Sequence, residues 1–207
     1  MGGLLVLALI AGYVWITSIV CKCVRPYWGK ALVIIIAILI PTADGIYGRI
    51  KLKQMCKTEG GLHIYRVVEG VEGFYYPKFS PDKFWLSKAG YKFVEGKDNT
   101  RLSLQPDGTY LLQKDVVPIS KYVYDFHNTG DPLKDIFNRT DFFIRARDTG
   151  EIMGNLIYIN YAGGWFERFI AGLYAARGSG GSCGSDIDPV SGLVTTVLKP
   201  IHTTSTK

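Results

Sequence analysis

Apolar positions fall into two kinds of pattern along the chain. Leu4 to Val20 is 17 residues without a charge, and Ala31 to Tyr47 is a second run broken only by Asp44. Both are apolar on every side, the mark of a helix surrounded by lipid or core rather than one at a protein surface. Their length sits near the lower limit for crossing a bilayer. The first run lacks the basic flank and small-x-small site of a secretory signal, so it is read as a span. Tyr27 and Trp28 begin the second run and Tyr47 ends it, as interfacial aromatics do. The connection "CKCVRPYWGK" is ten residues long, which makes the two helices antiparallel neighbours. A transmembrane two-helix hairpin is expected.

Asp44 tests that reading. It lies 16 residues after Trp28, or ~24 Å at the helical rise, against a hydrocarbon core of about 30 Å. Its carboxylate is expected at the far interface, ending the apolar span within reach of headgroups or water. An intramembrane proton or ion site would need a second ionisable side chain in a span, and neither run supplies one. Pairing with the Met1 amine, on the same side, is a structural alternative. Pro41 removes the hydrogen bond to the Ala37 carbonyl and is expected to kink the helix. Arg49 opens a basic helical continuation, which Gly60-Gly61 stops. The chain is thus divided into 1–58, hairpin and juxtamembrane helix, and 59–207, a soluble domain with a loose tail.

After Gly61 the period shortens to two. "LHIYRVV" (62–68) reads as a strand. "RLSLQPDGTYLLQK" (101–114) reads as a hairpin turning at Pro106-Asp107-Gly108, and 141–161 as another turning at Asp148-Thr149-Gly150. In the latter, Phe142, Ile144 and Ala146 face one way and Phe143, Arg145 and Arg147 the other, a half-buried antiparallel sheet. The outward row Phe143, Arg145, Arg147 is the candidate partner surface; a solvated sheet face is the plain alternative. "SPDKFWLSKAG" (80–90) reads as a short helix with Ser80 as cap, Pro81 at its first position and Gly90 at its exit. Residues 164–178 place Trp165, Phe166, Phe169, Ile170, Leu173 and Tyr174 on one helical face, with Glu167, Arg168 and Arg177 opposite. That helix is expected to pack on its own sheet, the alternative being a helix on the membrane surface or against a partner. Residues 191–198 add a last strand. The fold class is α+β: a helical transmembrane hairpin, then a small antiparallel-sheet domain with one or two packed helices.

Charge changes the picture in one respect. The net charge of +6 is concentrated in residues 1–60, with seven basic against two acidic residues. The basic character therefore belongs to membrane flanks, and no nucleic-acid partner is expected. Lys22, Arg25 and Lys30 mark the short loop as cytoplasmic, leaving both termini outside, in a bacterial periplasm. Arg49, Lys51, Lys53 and Lys57 argue the reverse, with less weight, because a large following domain crosses largely regardless of charge. Of four cysteines, Cys21 and Cys23 would face the reducing side. Cys56 and Cys183 would share the oxidising side and are the candidate disulfide.

Catalytic patterns are missing. His63, His127 and His202 stand alone, and there is no H-E-x-x-H, C-x-x-C or phosphate-binding loop. No metal or cofactor is expected. Cys183 at a glycine turn faintly resembles a thiol nucleophile but has no paired histidine. Asn138-Arg139-Thr140 fits a glycosylation sequon, relevant only in a eukaryotic secretory route. The leading expectation is an inner-membrane-anchored envelope protein whose domain binds a protein partner, as an accessory or immunity-type factor would. The alternative is a membrane-bound enzyme on envelope lipid, glycan or peptide, gathering His63, Asp125, His127 and Asp141 into one site. A transport role comes third.

Overall fold

The apolar runs, the second extended by the basic segment after Tyr47, give two helices at the N-terminal end, α1 (Gly2–Cys23) and α2 (Tyr27–Thr58), in the computed structural model, which describes residues 2–130, 136–173 and 180–201. The break between them falls at Pro26, which lacks an N–H and disfavours helix at the residue before it. There follow β1 (Gly61–Ile64), β2 (Val68–Val71), β3 (Gly73–Tyr76), α3 (Phe84–Ser87), β4 (Phe93–Gly96), β5 (Thr100–Leu104), β6 (Tyr110–Gln113), β7 (Tyr122–Thr129), β8 (Phe137–Ala146), β9 (Ile152–Tyr161), α4 (Trp165–Leu173), β10 (Gly181–Cys183), α5 (Ser191–Val197) and β11 (Leu198–Pro200). By internal contacts the chain forms two units. One holds residues 1–58, 130–138 and 159–182, and the other 59–129, 139–158 and 183–207. Both units are discontinuous in sequence, and α4 belongs with the N-terminal helices.

In the helical unit, one helix among the described residues, α2, is long and apolar enough to cross a membrane, while Leu7–Cys23 of α1 is a shorter apolar helix. α2 runs through Pro41. The Ala37 carbonyl that Pro41 leaves without a partner is taken by the Tyr13 hydroxyl of α1, at 2.5 Å. This bond ties the two helices together where an orphan carbonyl would be costly. α4 packs against both α1 and α2. The expectation that this helix lies on its own sheet is therefore corrected. Its apolar face has the right period for a sheet, but helical spacing alone does not say which apolar surface it meets. Met1, Tyr174, Arg177, His202 and the tail 203–207 lie outside the described residues.

The sheet unit corrects the strand reading in three ways. The sheet is large and mixed, in the order β1-β9-β8-β7-β3-β4-β5-β6, with β10 beside β9. β3 is parallel to both β4 and β7. β3 and β4 are buried nearly throughout, and strands covered on both sides lose the alternation that betrays a half-exposed one. Second, the expected strand 62–68 is two. Tyr65 and Arg66 both donate to the Met153 carbonyl, ending one ladder, and β2 then pairs in parallel with β11 in a separate ladder. Third, 191–198 is mainly the helix α5. Asp188 Oδ1 accepts from Val190 N, Ser191 N and Ser191 Oγ, which starts a helical turn. Leu193, Val194 and Val197 are then wholly buried, and core packing overrides the β preference of Val and Thr.

Both hairpins form at the expected turns, with Gly108 at φ 81° and Gly150 at φ 72°. The helix at 80–90 is a single turn, 84–87. Its first N–H is taken by Asp82 Oδ1 at 2.7 Å rather than by Ser80. α3 and α5 close the core over Phe74, Val94, Tyr124, Ile144 and Leu156. Burial pushes the Tyr91 and Tyr124 hydroxyls up from the usual phenol range. Each donates to a backbone carbonyl, of Leu198 and Pro189 respectively.

Among the described residues, Glu95 is the buried charge of this unit, 1% exposed. Arg101 donates to it through Nε and Nη2, Ile119 and Ser120 through their backbone N–H groups, and Ser120 through its hydroxyl. Burial pushes its carboxyl up. The Ser120 hydroxyl, the Ile119 and Ser120 N–H groups and Arg101 outweigh that and hold it below the ordinary value. The carboxylate thereby pins the segment after β6 to the sheet.

Candidate functional site

In the helical unit the structure is organised around Asp44. Gly45 and Gly48 on α2 are buried. A Cβ on Gly48 would come within 2.2 Å of the Tyr161 ring, and one on Gly164 within 2.7 Å of Asp44 Oδ1 and 2.8 Å of Gly45 N. These glycines let the backbone before α4 approach α2 closely enough for Asp44 Oδ2 to accept the Trp165 N–H. A carboxylate at the first N–H of a helix satisfies an orphan donor and complements the helix dipole. Trp165 also donates its indole N–H to the Ile40 carbonyl at 3.3 Å, and Tyr161 its hydroxyl to the Asp44 carbonyl at 3.2 Å. Arg49 is ion-paired with Glu167, whose other oxygen accepts from Gly164 N at 3.1 Å.

Asp44 thus holds the start of α4. The sequence carried the ingredients, Asp44-Gly45-x-x-Gly48 and Gly163-Gly164-Trp165, but nothing in one chain pairs two glycine-rich stretches so far apart. Tyr27 and Trp28 are almost fully exposed and Tyr47 is largely so; Lys30 sits over the Tyr27 ring. Replacing Asp44 with Ala removes the acceptor and is expected to weaken α4 docking by about 1–2 kcal/mol, the cost of losing a helix cap. Hydrogen exchange of the full chain should show faster exchange across 165–173 with β7 and β8 unchanged, and Asp44→Asn should lose less. Unchanged exchange at 165–173 would rule out the role.

In the sheet unit the candidate row lies on the outer face of β7 and β8. Arg145 stacks over the Phe143 ring at 5.9 Å, and Arg147 donates to the Pro118 carbonyl. All three residues are thus engaged within the chain. The register sets His127 opposite Asp141 and Asp125 opposite Phe143, so Asp125, His127 and Asp141 share that face. Asp125 is paired with Lys78 at 2.8 Å and Asp141 with Arg139 at 2.8 Å, and Arg139 also holds Glu59. His63 lies elsewhere, on β1 opposite Asn155, with Nε2 at 3.1 Å from the Glu59 carbonyl. Three of the four residues of the enzyme alternative are brought together, and both acids already have cationic partners. Asn138 of the sequon lies within β8, with its side-chain oxygen buried, unlike an exposed glycan acceptor.

Two further surfaces were not foreseen. A groove of about 350 Å3 runs along β2 and its turn, with Glu69, Glu72, Ser120 and Lys121 among its lining residues; Glu72 is held low by Lys92, which donates to it at 2.6 Å. At the sheet margin, β6 is exposed along its whole length, with Leu111 and Leu112 at 44% and 52% and Val117 and Ile119 beyond it at 79% and 62%. Among the described residues no group of His, Cys, Asp and Glu is placed to hold a metal ion. Cys56 and Cys183 are disulfide-bonded, and Cys21 and Cys23 are free. No family model, no curated protein and no solved structure matches the chain.

Proposed function

We propose that this is a bacterial inner-membrane protein, anchored by α1 and α2 as two spans with both termini in the periplasm, whose sheet unit binds a polypeptide partner as an accessory or immunity-type factor. The apolar length of α2 and the presence of a disulfide support the membrane and the oxidising side. The observation that carries the binding role is β6. It ends the sheet order, so among the described residues one row of its N–H and C=O groups lacks a strand neighbour. Although it is only four residues long and is followed by Lys114, it presents Tyr110, Leu111 and Leu112 with no charge or proline within the strand. Such an edge accepts an extended segment, with backbone bonds giving affinity and alternate side chains giving selectivity.

A photo-crosslinking residue at position 112 in cells should give one discrete adduct, absent when the same residue is placed at Asp148. Leu112→Lys should reduce binding of that partner at least tenfold. Because the residue is exposed, the same change should alter stability by no more than about 0.5 kcal/mol. Equal adducts at 112 and 148, or binding unaffected by Leu112→Lys, would defeat the proposal. The enzyme reading retains one supporting observation, the shared face of Asp125, His127 and Asp141. Lys78 and Arg139 weigh against it, since neither acid is left unpaired to act as a base.

A further inference from the structure

The apolar face of α4 does not close completely on its neighbours. Phe166, Phe169 and Ile170 of α4, with Leu9 and Tyr13 of α1 and Pro41 of α2 among others, line a cavity of about 410 Å3. The lining is almost wholly apolar, so it offers none of the two to four polar partners that an ordered water needs. It is also far larger than the roughly 150 Å3 apolar cavity known to take a benzene ring. Its depth follows from Asp44. Ile40 and Pro41 precede Asp44 by about one helical turn, ~5 Å towards the hydrocarbon side. The Asp44–Trp165 bond fixes the start of α4 at that level. The cavity walls are part-exposed, Trp165 at 47% and Phe169 at 45%, and they continue the apolar surface of α2. An opening of this kind, at this depth, meets acyl chains.

We propose that the cavity between α4, α1 and α2 holds one acyl chain of a bilayer phospholipid, making α4 a third membrane-embedded element to which the chain returns after the sheet. The proposal rests on the reading of α2 as a membrane span. It also accounts for a helix that is amphipathic yet buries none of its three aromatics fully: Trp165 and Phe169 face lipid, Phe166 lines the cavity, and Glu167 faces Arg49.

The test uses the full chain in nanodiscs of phosphatidylcholine carrying a photoactivatable diazirine in one acyl chain, with adducts mapped by mass spectrometry. Adducts are expected on residues 165–170 and 9–13 as well as on the outward residues Ile34–Ile36 of α2. Ile10→Trp, which fills the cavity from the α1 wall, should cut the adducts at 165–170 at least fivefold and leave those at 34–36 unchanged. Ile170→Trp fills it from the opposite wall and should do the same, which covers the case in which one variant fails to fold. Labelling at 34–36 with none at 165–170 overturns the cavity and leaves the membrane reading standing. Labelling at 165–170 that neither variant reduces also overturns it, since α4 would then only graze the lipid. No labelling at 34–36 sinks the membrane reading itself.

Discussion

Glu95→Gln is expected to destabilise the sheet unit by about 3–5 kcal/mol, the usual cost of breaking a buried charge pair by removing one partner. Against a typical domain stability of about 5–15 kcal/mol this is a large fraction, and it should lower Tm by about 10 °C at this size. The reason lies in what remains. Arg101, 17% exposed at its side chain, keeps its charge and the Val117 carbonyl but loses its acid. Changing both partners to apolar residues, Glu95→Leu with Arg101→Met, should recover only part of the loss, because the Ile119 and Ser120 N–H groups still lose their acceptor. Full recovery in the double variant would show the pair to be the whole effect and the backbone contacts idle.

The same carboxylate sets a pH dependence. Its folded pKa is depressed, and the ordinary value is 4.5. A depressed carboxyl contributes stability that is complete above the ordinary value and is lost as pH falls through the folded one. Asp188, where burial pushes up but the Ser191 and Val190 bonds win, shifts in the same direction. Denaturant midpoints should therefore be flat from pH 7 to about 5 and fall below about 4.5, with a shallower fall in Glu95→Gln. A wild-type midpoint unchanged down to pH 3 would contradict this.

How much of this could be read from the sequence depends on which physical signal each element leaves. The apolar runs of α1 and α2 and the two glycine turns are local facts, and they appear where periodicity and turn chemistry put them. β3 and β4 leave no such signal because full burial erases alternation, whereas β7 does alternate, with Tyr124 and Phe126 on one face and Asp125 and His127 on the other, and was legible. α5 was read as a strand because Val and Thr favour one, whereas Asp188 and the core decide otherwise. The Asp44 junction and the β6 edge are of another kind. Each residue was visible, but the first depends on a pairing of distant glycines and the second on the order of strands, neither of which one sequence states. Arg145 and Arg147 illustrate the converse: their outward direction was legible, their engagement with Phe143 and Pro118 was not.

Removing the disulfide is expected to produce the largest single effect. Cys56 and Cys183 enclose 126 residues. Closing a loop of that order restrains the unfolded chain by about 4–5 kcal/mol in the entropy model, comparable with the whole stability of a marginal domain. Because the effect acts through the unfolded state, it carries a signature that lost contacts do not. The reduced unfolded chain is freer and exposes more surface, so the urea m-value should rise as the midpoint falls. Cys183→Ser and reductant on the wild-type chain should give matching curves, and reductant should then do nothing further to the variant. Cys21→Ser and Cys23→Ser, at free thiols, should leave both parameters unchanged. Compartment can be read in the same experiment. In intact cells a membrane-impermeant maleimide should label Cys56 and Cys183 only after reduction, and should not reach Cys21 and Cys23 at all. If all four label without reductant after lysis, and Cys183→Ser melts at the wild-type midpoint, the bridge does not form in the cell. The placement on the oxidising side would then rest on Lys22, Arg25 and Lys30 alone.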